Sequence, residues 1–167
     1  MMRSLLVITT LFFSISGEAQ KILPMGRWEP MEIQKDSIMI FDRTKPEVSF
    51  KAALKNRLKY TDELTEADSL EIKADVDRTF ALMEQMFYEF RDENLLTVGT
   101  LDFNEEGEYA FVEKEGGYHV DGDRLFIRVD GRLDEYVYSV EAGDLILVPV
   151  IGGEVYQKGY VKCSMVE

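Results

Sequence analysis

The chain carries one histidine, His119, and one cysteine, Cys163. A single imidazole and a single thiol cannot build a multi-histidine centre or a cysteine-bound zinc site. Gly-x-Ser-x-Gly, P-loop and His-Glu-x-x-His patterns do not occur. Acidic side chains number 32, so two carboxylates meeting by chance say nothing about acid–base work. Asp121 and Asp123 flank Gly122; two carboxylates offer too few oxygens for calcium, and turn chemistry explains the triplet. The expectation is a protein without catalytic residues, metal or cofactor.

Two other groups of residues could bind something. Tyr109, Phe111, Tyr118, Tyr136 and Tyr138 fall at alternating positions. Facing inward together, they would line a cavity whose hydroxyls orient a small ligand. A filled core uses the same residues equally well. Lys51, Lys55 and Lys59 form a ridge beside Phe50, Leu54 and Leu58. This basic island could attract an anionic membrane or an acidic partner. A solvated face beside the acidic stretch from Glu63 to Asp77 accounts for it too.

The whole chain has 167 residues, 46% of them hydrophobic, and a net charge of −13. That length suits one domain and the composition is globular. The acidic balance argues against nucleic acid as a partner, because phosphate binding needs a basic surface. Residues 1–19 read as a signal peptide: Arg3, an apolar run from Leu5 to Phe13, then Gly17 and Ala19 before the cut. The mature protein, residues 20–167, is then exported to the periplasm or beyond. In that compartment Cys163 is expected as a free thiol tucked against the core.

Three zones must position these residues. Arg27 to Gln34 and Ser37 to Asp42 are strand candidates, with Pro30 at an edge or a bulge. Residues 46–94 read as a helical insertion. Pro46 suits a first turn, and Thr65 with Asp68 resembles a capping box. Ile72, Val76, Phe80, Met83, Phe87 and Phe90 then keep one face apolar to the end of the insertion. From Leu95 onward the period is two, punctuated by turns at residues 105–107, 115–117, 121–123, 130–132, 141–143 and 152–153. Such short connections require antiparallel pairing. Asp144 to Ile151 is apolar on both faces, and so is Ile38 to Phe41, which calls for helices covering their outer sides. The fold class is mainly β: an antiparallel meander of eight or nine strands closing into a barrel, with two helices inserted between early strands.

Gly26-Arg27-Trp28, opening the first strand, resembles the Gly-x-Trp signature of lipocalins. Phe103 to Tyr109 and Gly117-Tyr118-x-x-x-Gly122-Asp123-x-Leu125 resemble hairpins of lipocalin-like proteins exported by bacteria. The resemblance is to the calycin superfamily. It implies that Trp28 is structural, closing the barrel base beneath Lys158 or Lys162. Fatty-acid-binding proteins place a helix pair near the start as a lid, which is similar to the insertion here. The function so implied is a binding protein for a small apolar or amphipathic molecule. Phe80, Met83, Phe87 and Phe90 form the lid side of its site, and the five aromatics form the barrel side. The other reading is a protein-interaction module with a filled barrel, using the helical insertion as its recognition surface.

Overall fold

A computed structural model describes residues 23–58 and 65–166. The signal-peptide segment and Lys59 lie outside the described residues. Strands β1 (Gly26–Lys35) and β2 (Ile38–Asp42) form a hairpin, followed by helices α1 (Glu47–Arg57) and α2 (Glu66–Met83). Strand β3 (Phe87–Phe90) and a 3-10 turn (Asp92–Asn94) lead into β4 (Leu95–Phe103), β5 (Tyr109–Asp121), β6 (Arg124–Val129) and β7 (Arg132–Glu141). The chain ends with β8 (Asp144–Ile151), the two-residue β9 (Glu154–Val155) and β10 (Tyr160–Val166).

Pairing is antiparallel throughout. β10 pairs with both β8 and β1, and β3 links β1 to β4. The ring β1-β3-β4-β5-β6-β7-β8-β10 is therefore closed, an eight-stranded barrel with β2 and β9 paired outside the ring. Closure leaves the ring no free edge. The arrangement is mainly β: a closed antiparallel barrel with two helices between its early strands.

Local chemistry sets the turns. Asp130-Gly131 and Ala142-Gly143 each hold two residues at positive φ, which matches the right-handed twist of the strands they join. Pro30 sits where the β1–β10 register shifts, so the ladder does not need its missing N–H. Thr65 caps α2: its hydroxyl accepts from the Asp68 N–H at 3.1 Å, and the Asp68 carboxylate accepts from the Thr65 N–H at 2.9 Å.

Three expectations need correction. The second helix stops at Met83 rather than running to Asn94, and Phe87 and Phe90 stand on a strand. Their spacing continues the helical period, yet Phe-Tyr-Glu-Phe also suits a strand, and pairing with two neighbours decides the matter. Residues 115–117 are no turn but the middle of β5, a single strand of 13 residues. The helix pair covers β2, as its two apolar faces require, but otherwise rests on β4 and β5 rather than β8. Ile146 and Val148 on the outside of β8 remain partly exposed.

One buried core cluster draws residues from all eight strands of the ring. Trp28, Phe90, Leu96, Leu125, Tyr138, Leu145, Leu147 and Cys163 are each at most 1% exposed. Trp28 belongs to this core and donates its indole N–H to the Pro24 carbonyl at 3.1 Å. The basic residues expected above it lie elsewhere. Lys162 is held by Asp144 at 3.1 Å and Glu32 at 3.6 Å, and Lys158 is exposed beside the β1–β2 turn. Cys163 is a free, buried thiol, and burial pushes its pKa up to about 12. At pH 8 it stays protonated, so an aromatic disulfide reagent should label the native protein only as fast as the chain opens. Immediate stoichiometric labelling of the native protein would refute this placement.

Candidate functional site

The five aromatics expected to face one cavity divide between two faces of the sheet. Tyr118 and Tyr138 are buried in the barrel core, and Tyr136 packs against it. Tyr118 stacks edge-on against Phe90 with centroids 5.1 Å apart, and its hydroxyl donates to the Arg91 carbonyl at 3.2 Å. Desolvation pushes the Tyr136 hydroxyl up to about 12 and raises Tyr88, a neighbour absent from the expected set, well above its ordinary value. Tyr109 and Phe111 differ in parity from Tyr118, and β5 runs without a register shift between them. They therefore occupy the opposite face.

That outer face has its own cluster. Phe111 meets Phe87 across Gly99, with ring centroids 6.4 Å apart. The Arg27 guanidinium lies 3.8 Å above the Phe87 ring, which leaves Phe87 2% exposed. Tyr109 stacks on Phe103 at 4.4 Å near the tip of the β4–β5 hairpin.

The helix pair creates a cleft of about 760 Å³, larger than the hollow of about 410 Å³ beside Glu32, Asp144 and Lys162. One wall is α1, through Ser49, Ala52, Ala53 and Asn56; the other is α2, through Ile72, Val76, Thr79, Phe80 and Met83. Ile38 and Ile40 of β2 and the edge of Tyr109 complete it, with Lys35, Asp36 and Asp75 as its ionisable lining. Phe80 anchors α2 by packing on the fully buried Phe41, with centroids 4.8 Å apart. Arg43 fixes the far end of the same helix: it donates to Glu29 at 2.7 Å and to the Glu84 carbonyl. Arg78 reaches Glu108 at 3.4 Å, tying α2 to the β4–β5 hairpin.

Of the nine expected ligand-binding residues, the cleft brings together Phe80, Met83 and Tyr109. Phe87 and Phe111 belong to the outer wall, and Phe90, Tyr118, Tyr136 and Tyr138 to the barrel core. The α1 wall was missed. Its signal was present as small residues at positions 49, 52, 53 and 56, one face of a helix. Ser49 is 8% exposed, and its hydroxyl has no hydrogen-bond partner among the described residues. Lys51 and Lys55 stand exposed on α1. His119 is exposed beside Phe126, and Asp121-Gly122-Asp123 forms the β5–β6 turn.

Among the described residues, no group of His, Cys, Asp and Glu side chains is arranged to hold a metal ion. No helix among them is long and apolar enough to cross a membrane. No family model matches the chain, and no curated protein matches it in sequence. Solved structures similar to it include a DUF4847 family protein from Bacteroides vulgatus ATCC 8482, with 13% identity and a TM-score of 0.47. That match covers 83% of this chain and 91% of the other. The wild-type fluorescent protein UnaG is similar at 11% identity and a TM-score of 0.32, covering 85% of this chain and 96% of that one. A point mutant of UnaG is similar at 13% identity and a TM-score of 0.32, covering 86% and 96%.

Proposed function

We propose that the chain is an exported, lipocalin-like binding protein that holds a small apolar or amphipathic molecule under its helix pair and catalyses no reaction. The cleft carries this reading. Its volume of about 760 Å³ falls within the range of small-molecule sites, and its walls combine aliphatic and aromatic side chains with polar and charged ones, as an amphipathic ligand would need. The mechanism is burial, each methylene removed from water contributing about 0.8 kcal/mol. The signal-like run of residues 1–19 supports export. Because Tyr118 and Tyr138 are buried in the barrel core, this reading puts the ligand under the helices and not among the barrel aromatics.

Native mass spectrometry of protein purified gently from the exporting cell tests the proposal. The expected result is an excess mass that is lost on denaturation. Protein that is bare, and still bare after incubation with a lipid and metabolite extract, would defeat the binding reading. The helical insertion would then serve as a recognition surface for another protein, with Lys51 and Lys55 on its exposed side.

A further inference from the structure

We infer that the cleft selects an uncharged amphiphile, an apolar body with a hydroxyl or carbonyl head, and that Ser49 is the residue that recognises the head. The inference rests on the binding reading above and goes on to the chemistry of the ligand. Ser49, Ala52, Ala53 and Asn56 follow the i, i+3, i+4, i+7 rule, so they share one face of α1. Small side chains keep that wall low, and the facing wall of Val76, Phe80 and Met83 is apolar.

Ser49 lines this cleft with its hydroxyl just beneath the surface, and among the described lining residues it is the one whose buried side-chain polar atom lacks a hydrogen-bond partner. A buried hydroxyl left unpaired is costly, and a ligand head that pairs with it recovers that cost. Because a hydroxyl both donates and accepts, it serves an alcohol or a carbonyl equally.

Charge decides against an ionised head. The described ionisable lining is Lys35, Asp36 and Asp75, two carboxylates against one ammonium. All three are exposed, so none stands as a buried counter-charge beside Ser49. Asp36 already accepts from the Tyr156 hydroxyl, and Asp75 lies 3.5 Å from Arg78. A carboxylate or ammonium brought down to Ser49 would lose its water and, among the described lining residues, meet no buried opposite charge. An alcohol loses far less.

Isothermal titration of the full chain at pH 7.5 with 1-decanol, decanoate and decylamine, each below its aggregation limit, tests this. The expected order puts decanol at least tenfold tighter than either ion. Ser49→Ala should weaken decanol about tenfold and narrow its margin over decanoate. Ser49→Thr, which keeps the hydroxyl, should preserve that margin. Without ligand, Ser49→Ala should melt no lower than the parent, because it removes an unpaired buried group. Equal binding of the three probes, a preference for decanoate, or an unchanged preference in Ser49→Ala overturns the inference while leaving the binding reading intact. If none of the probes binds, the inference falls, and the native mass shift decides the binding reading separately.

Discussion

Gly116→Ala is expected to lower the melting temperature by about 10 °C, and Gly117→Ala, one residue later, to change it little. A Cβ at Gly116 would lie 2.2 Å from the carbonyl oxygen of Arg128 and 2.8 Å from Cγ2 of Val129. The first of these atoms belongs to the backbone of β6, so relief requires the two strands to part. Gly116 is paired with Val129, the last residue of β6, and beyond it β5 continues paired with β4. The strand thus leaves one neighbour at the point where it approaches that neighbour most closely. Overpacking a site that cannot yield costs about 3 kcal/mol, and in a domain of this size each kcal/mol is worth roughly 2–4 °C. At Gly117 the nearest atom is the Asn94 carbonyl oxygen at 3.4 Å, ordinary contact distance. Thermal melts of the two variants by circular dichroism make the comparison. Equal losses would mean that strand glycines matter here through backbone freedom, not through the close approach.

The same pair of glycines explains what the sequence concealed. Glu115-Gly116-Gly117 is locally indistinguishable from the hairpin turns elsewhere in the chain. Asp130-Gly131 and Ala142-Gly143 are turns because the chain reverses there and needs positive φ, a requirement written in two adjacent residues. Gly116 is glycine because of a strand whose approach is set by the whole barrel. A turn there would restart the alternation and group Tyr109 and Phe111 with Tyr118, whereas the unbroken strand puts them on the opposite face. The capping box of Thr65 and Asp68, the bulge at Pro30 and the bounds of β6 were legible because each is local. The end of α2 was not, since Met83, Phe87 and Phe90 keep helical spacing into a strand. The cleft was half legible. The stripe of Ile72, Val76, Phe80 and Met83 faces it as its period requires. Its other wall consists of residues that are informative for being small, and hydrophobic periodicity does not register a serine and two alanines.

Phe80→Ala is expected to release α2 from the barrel without unfolding the barrel itself. None of the described residues of α2 is fully buried, so the helix owes its place to a few contacts. The Arg78–Glu108 pair joins side chains that are both more than half exposed, and such pairs contribute little. Arg43 grips the carbonyl just past the last turn. The most deeply placed ring contact of α2, among the described residues, is Phe80 on Phe41, a partly exposed ring on a fully buried one. Removing a buried phenylalanine costs about 3–5 kcal/mol, and a partly exposed one less, about 2 kcal/mol. For a helix docked by so little, that is enough to shift the local equilibrium toward opening. Hydrogen exchange should then show amides of α2 losing roughly thirtyfold in protection, the factor that corresponds to about 2 kcal/mol. Amides of β6 and β8, whose Leu125, Leu145 and Leu147 are fully buried, should keep theirs. Any ligand held under the helices should be lost at the same time, because Phe80 is a wall of the cleft as well as its anchor. A uniform fall in protection across helix and barrel would show that the two open together. The cleft would then be part of the barrel's own cooperative unit, with no separate lid to lift.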